Sequence, residues 1–135
     1  MVCLYCGRNT RVINSRNRMK QSKVWRRRQC VVCHAIYTTI EEPELSTSLS
    51  VVDGTGGQIE SFMPEKLFIS LYATLKHRKD PISDARHISS TVTSKLIHEV
   101  TNGSIDKSTI RNICLVCLTR FDKLAAANYS AYHRD

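Results

Sequence analysis

Apolar and polar positions alternate in three short stretches near the start of the chain. "TRVINS", "SKVWRRRQC" and "HAIYTTIEE" set Val, Ile, Trp and Tyr between polar neighbours, which predicts three strands. The pattern breaks at "EEPELSTS", which is acidic, then rich in Ser and Thr, with one Pro. That break divides the chain into a first domain over 1–42, a linker over 43–48 and a second domain over 49–135. The second domain opens with "SLSVVDGTGGQIESF", two short strands around a Gly-rich turn. Four helical stretches follow. In "PEKLFISLYATLKHRK", Pro64 suits a first helical position and Leu67, Phe68, Leu71 and Leu75 form an apolar stripe. "SDARHISSTVTSKLIHEVTNG" offers Ser83 as N-cap and Gly103 as stop. "DKSTIRNICLVCLTRF" and "DKLAAANYSAYHRD" complete the set. The predicted class is α+β: a small antiparallel sheet, then a hairpin with about four helices.

Charge sharpens this division. The 135 residues carry a net +8. Residues 1–40 hold nine Lys/Arg and no acid, whereas 41–135 are close to neutral at −1. A basic segment set apart in this way points to a polyanionic partner. No run of 18 apolar residues exists, so no transmembrane helix is expected, and "MVCLYCGRNT" lacks a charged-then-apolar signal pattern. The expected compartment is the cytoplasm. Thiols stay reduced there, so the six cysteines read as metal ligands or buried thiols rather than disulfides.

Cys3-x2-Cys6 and Cys30-x2-Cys33 are separated by 23 residues. Two such knuckles can set four thiolates about one Zn²⁺ at ~2.3 Å each. Forty residues have little core of their own, and metal binding would supply the missing folding free energy. The three strands then form a zinc ribbon with the metal at one end. His34 follows Cys33, but four cysteines already complete the ligand set. Alternation along "KVWRRRQC" sets Arg26 and Arg28 on the face of Val24, and Arg27 on the face of Trp25. Arg16, Arg18, Lys20 and Lys23 are expected at the loop between strands, adding to the field. Such cations grip phosphates, and Arg reaches guanine edges in a major groove. On this basis Arg26 and Arg28 lead the DNA contact, with Arg27 and Lys23 secondary. Trp25 is either the filler of a core-poor ribbon or a stacking contact.

Other motifs carry less. Cys114 and Cys117 lie within "ICLVCL", where small apolar core thiols are expected. The turn "DGTGG" could cradle a phosphate with backbone N–H groups but lacks the Lys-Ser/Thr of a P-loop. There is no Ser/His/Asp set, no paired carboxylates and no open metal position, so an enzyme is not expected.

With these features placed, the chain resembles the NrdR family, zinc-ribbon transcriptional repressors of ribonucleotide reductase genes. The likeness runs nearly end to end, through "CLYCG", "NSR", "RRRQCVVC", "YTTIEEPEL", "ESFMPEKL" and "RFDKLAAANYSAYHR". It implies that the second half is an ATP-cone, which takes ATP or dATP, changes the homo-oligomeric state and so exposes or hides the DNA-binding ribbons. Through "NSR" the resemblance also implies that Arg16 joins Arg26 and Arg28 in leading the DNA contact. The residues it implies for nucleotide contact are Val52, Gly54, Thr55, Gly56, Gly57, Glu60 and Lys66. The family hairpin carries Lys-Arg where this chain has Gly54 and Thr55, and Asp where it has Gly56. The family's tyrosines in the last helix fall on Ala126 and His133, and its pattern continues past position 135. Phosphate grip would then rest on backbone donors, the Thr55 hydroxyl and Lys66, making nucleotide binding weaker or altered in preference. The alternative function is a nucleotide-independent assembly protein with a degenerate cone, whose ribbon binds nucleic acid, RNA included.

Overall fold

The computed structural model describes residues 1–54 and 56–133. They form two compact units, Met1–Pro43 and Glu44–Asp135.

In the first unit three strands pair in the order β1-β2-β3, all antiparallel: β1 (Thr10–Arg18), β2 (Lys23–Cys30) and β3 (Ile36–Glu41). The expected strands are present, but β1 runs on through Asn14 to Arg18 despite its polar composition. Pairing with β2 overrides the weak strand preference of Asn, Ser and Arg. Arg16 and Arg18 therefore belong to β1 and Lys23 to β2, and only Lys20 sits in the connection, a 3-10 turn over Met19–Gln21 closed by Ser22 at φ 51°. The register shifts between Val12 and Asn14, so that Ile13 is extra. The sheet buries almost no apolar side chain. Only Cys3 and Cys30 are buried in this unit, while Val12, Ile13, Trp25, Ile36 and Ile40 stay exposed. Trp25 is 40% exposed, so it does not fill a ribbon core.

The second unit holds the hydrophobic core. Its sheet has the order β5-β4-β6, with β4 (Ser50–Val52) central, β5 (Ile59–Ser61) antiparallel and β6 (Ser104–Asp106) parallel to β4. Around it lie a short helical turn α1 (Leu45–Ser48) and four helices: α2 (Pro64–Thr74), α3 (Pro81–Glu99), α4 (Lys107–Phe121) and α5 (Lys123–Tyr132). Val51 and Ile105, paired on adjacent strands, meet the apolar stripes of the helices. α3 supplies Ala85, Ile88, Val92 and Leu96, at the spacing of one helical face. Leu71, Leu75, Leu96 and Leu118 are fully buried. Three helices start on an aspartate: Asp80, Asp106 and Asp122 accept the N–H groups of Ser83, Ser108 and Ala125. Ser83 is thus a donor in the first turn and Asp80 is the cap, because Pro81 can occupy the first helical position. Among the described residues no helix is long and apolar enough to cross a membrane.

Candidate metal centre, cationic face and cleft

The knuckles in the first unit are built alike. Cys3 N–H donates to the Arg8 carbonyl at 2.7 Å, and Cys30 N–H donates to the Ala35 carbonyl at 3.0 Å. Gly7 and His34, each following the second cysteine of its pair, share the left-handed conformation, at φ 70° and 60°. His34 therefore serves the turn of the knuckle. The two turns bring the Sγ atoms of Cys3, Cys6, Cys30 and Cys33 within 4.8 Å of one another. The Cys3–Cys33 separation is 3.7 Å and the Cys6–Cys30 separation 3.4 Å. A tetrahedron of thiolates around Zn²⁺ has edges of about 3.8 Å, so the residues fit this ion. Backbone N–H groups of Tyr5 on Cys3, and of Val32 and Cys33 on Cys30, point at sulfur from 3.4 Å. Donors of this kind favour thiolate.

Four thiols this close cannot all ionise by themselves. Desolvation opposes ionisation of Cys30, but the N–H groups of Val32 and Cys33 and the thiols of Cys6 and Cys33 outweigh it, bringing its pKa to about 6. The Ala35 N–H favours the Cys33 thiolate, yet desolvation and the thiols of Cys30, Cys6 and Cys3 push it up to about 12. A divalent cation supplies the charge that lets all four ionise together.

The β2 strand divides its arginines as alternation requires. Directly opposed residues of an antiparallel pair share a face. Arg26 lies opposite Ser15 and Thr39, and Arg28 opposite Val12 and Tyr37. Both are half-buried and held: Arg26 donates to Glu41 at 3.3 Å, and Arg28 donates to Thr39 and Thr10 at 3.4 Å. Arg27 lies opposite Asn14 and Thr38, and Trp25 opposite Arg16 and Ile40. This second face is the open one. Arg18 rests over the Trp25 ring at 5.9 Å, and a depression of about 210 Å³ is bordered by Asn14, Ser15, Arg16, Trp25, Arg26, Arg27 and Thr38. By register Arg16 is thus grouped with Arg27 and separated from Arg28, while Arg26, on the face of Arg28, also reaches the edge of the depression. Lys23 pairs with Glu42 at 2.9 Å.

In the second unit a cleft of about 320 Å³ opens beside β5, with Lys66 from α2, Lys107 and Arg111 from α4, Tyr129 from α5 and His133 just past its end in the wall. Lys66 Nζ reaches Glu60 at 3.1 Å. His133 Nε2 lies 2.8 Å from Ser70 Oγ, and the rings of Tyr129 and His133 are 4.2 Å apart. A smaller cleft of about 240 Å³ is lined by Asp53, Gln58 and Ile59 together with Val51, Glu60 and Lys107, which also line the larger one.

The family profile described as "Transcriptional repressor NrdR-like, N-terminal domain" matches residues 1–41. The chain is similar to the transcriptional repressor NrdR of Rhodospirillum centenum, 36% identical over 138 residues, covering 100% of this chain and 86% of that protein. It is 32% identical over 136 residues to that of Deinococcus radiodurans, covering 100% and 83%. It is 29% identical over 135 residues to that of Chlamydia pneumoniae, covering 99% and 86%. The chain belongs to the NrdR family. Its N-terminal unit is the zinc ribbon of that family, carrying a four-cysteine metal group.

The positions implied by the NrdR resemblance for nucleotide contact are only partly gathered. Glu60 and Lys66 line the larger cleft, with Val51 rather than Val52 beside them. Gly54, Gly56 and Gly57 form the β4–β5 turn, closed by Gly57 N–H on the Asp53 carbonyl at 2.9 Å. Thr55 lies outside the described residues. Ala126 is buried in the core, whereas His133 faces the cleft. Lys107 and Arg111 are cleft cations that sequence reasoning missed. Their sole signal was a spacing of four at the start of a helix, which marks a shared face but not what that face meets.

Proposed function

We propose that this NrdR-family chain is a zinc-dependent repressor of ribonucleotide reductase genes. It binds double-stranded DNA through the ribbon, assembles through its second unit and senses ATP or dATP there. The observation that supports this best is the open face of β1 and β2. It presents Arg16, Arg18 and Arg27 around Trp25, on a sheet whose end is tied by four cysteines. Such a face neutralises phosphates, and an extended Arg can take a guanine edge. Arg28 supports it from the opposite face, Arg26 reaches the edge of the depression between Arg16 and Arg27, and Lys23 extends the field. Zinc acts by fixing the sheet that carries these cations. No chemistry at the metal is needed, since four thiolates fill its positions.

For assembly, Ile69, Ile82, Val116 and Leu124 stand exposed on α2 to α5 and offer apolar area to a second copy. For nucleotide, the larger cleft joins cations to apolar and aromatic walls, a chemistry suited to a polyphosphate bearing a flat base. Cytoplasmic action at the nucleoid follows from the partner. A second reading is favoured by the hairpin, whose residues 53–58 carry no Lys or Arg. In that reading the cone is degenerate and the ribbon binds nucleic acid without nucleotide control.

Binding of the full chain to the promoter region of a ribonucleotide reductase gene, to scrambled duplex and to RNA separates the readings. Preference for the promoter by about 10³ or more, altered by ATP or dATP, is the expected result. Equal affinity for all three, unchanged by nucleotide, would leave only the second reading.

A further inference from the structure

We propose that Lys107 and Arg111, one turn apart on α4, supply the charge that neutralises the phosphates of the cleft ligand, in place of the cations the β4–β5 hairpin lacks. This rests on the nucleotide reading above and assigns the residues that would make it work. Three observations lead to it. First, the hairpin itself offers glycines, Asp53 and Gln58 but no cation. Second, Lys66 is exposed and already paired with Glu60 at 3.1 Å, so one lysine cannot balance a triphosphate. Third, Lys107 lies where the two clefts meet, since it lines both, and Arg111 lines the larger one. Both side chains are half-buried, which excludes part of the water that would otherwise screen them.

Their spacing of four residues sets them on one face of α4. The charges of Arg111 and Lys107 also reach His133: after desolvation, they are what holds its pKa below the usual value. The imidazole and both cations therefore face one space. The helix end is not the site, because Asp106 already caps it by accepting from Ser108 at 2.8 Å. Beside the cations, Leu67 and Ile110 with the rings of Tyr129 and His133 make the wall suited to a base. The ligand class is a nucleoside triphosphate whose phosphates lie along Lys107 and Arg111. An inorganic polyphosphate would share that chemistry without using the apolar wall.

The test is calorimetric titration of the full zinc-loaded chain with ATP, dATP and inorganic tripolyphosphate at several salt concentrations. Lys107→Ala and Arg111→Ala should each weaken ATP binding about tenfold or more, the scale of one charge-assisted hydrogen bond. Lys107→Arg should restore most of the affinity, and each alanine variant should show a shallower salt dependence. Thermal melting identifies a variant that has lost its fold. Lys107→Gln, in the first turn of α4, stands in if Arg111→Ala melts early. Tight ATP binding that neither change disturbs overturns this assignment while leaving the nucleotide reading intact. Tripolyphosphate binding as tightly as ATP, and lost in the same variants, supports the cationic wall but removes the nucleotide as its ligand. Binding of none of the three overturns both.

Discussion

Arg16 stands directly across the β1–β2 pair from Trp25, and so shares the open face of Arg27 rather than the half-buried face of Arg26 and Arg28. The consequence is an order of importance for DNA binding. Arg26 and Arg28 have partners within the sheet, and moving them onto phosphate would break those contacts. Arg27→Ala and Arg16→Ala should therefore weaken duplex binding more than Arg28→Ala. A side chain that reads a base costs ~1–3 kcal/mol and relaxes specificity at one position; one that grips phosphate lowers the salt slope by about 1. Anisotropy titrations over a range of salt concentrations distinguish the two. A larger loss from Arg28→Ala than from either would assign binding to the other face.

The ribbon should depend on zinc for its fold, and the second unit should not. Its buried core runs from Leu49 to Tyr129 and includes no residue of the first unit. Cys30→Ser should release the metal and abolish DNA binding while most of the helical circular dichroism remains. Acid should do the same reversibly, because protons compete with zinc for thiolate. A full zinc complement in the Cys30→Ser protein would remove Cys30 from the ligand set.

Cys114 and Cys117 should behave as core atoms. Both are buried in α4, and desolvation leads in pushing the Cys114 thiol up to about 11. They should react with alkylating reagents only as fast as the second unit opens. The double change to alanine should cost on the order of 1 kcal/mol per site and leave zinc stoichiometry unchanged. Loss of a second metal equivalent would contradict the geometry, in which the described residues form one metal-holding group, Cys3, Cys6, Cys30 and Cys33.

Asp122 ties the α4–α5 junction to the connection between α2 and α3. It caps α5 through the Ala125 N–H at 3.0 Å and accepts from His77 at 2.9 Å and Arg78 at 3.0 Å. The Ala125 N–H, then His77 and Arg78, hold its carboxyl well below the usual range, against the pull of desolvation. The folded chain thus prefers the carboxylate more than the unfolded chain does. That preference stabilises the fold at any pH above the ordinary value of 3.8 and fades as pH falls below it. Asp122→Ala should lower stability near neutrality by about 1 kcal/mol or more, through loss of the cap and of the Arg78 partner. It should also flatten the acid limb of the stability curve below about pH 4. An unchanged acid limb in thermal melts across pH would show that other carboxylates set it.

Much of the architecture was legible in the chain because it rests on local pattern. Alternation marked β2 and β3, and apolar spacing marked the helices. The division of Arg26 and Arg28 from Arg27 followed from the pleat alone. What was hidden depends on partners distant in sequence. β6 has three residues and exists as a parallel partner of β4, a pairing no local signal announces. β1 reaches Arg18 because β2 lies beside it, and the extra residue at Ile13 shifts the pairing before Arg16. The cap at Asp80 is hidden because an Asp-Pro pair looks equally like a loop, while Ser83 offers a cap of its own. Lys107 and Arg111 became cleft residues only once α4 packed beside β6 and α5, across the cleft from β5.

The most direct test of the central claim uses the single tryptophan, which lies on the open face itself. Zinc-loaded chain is titrated with the promoter duplex of a ribonucleotide reductase gene while Trp25 emission is followed, with scrambled duplex and RNA as competitors. The expected result is a saturable change in emission, about 10³-fold weaker competition by scrambled duplex, and loss of the response on chelating zinc or in Arg27→Ala. Promoter binding with Trp25 emission unchanged, or with RNA competing as well as the promoter, would contradict it.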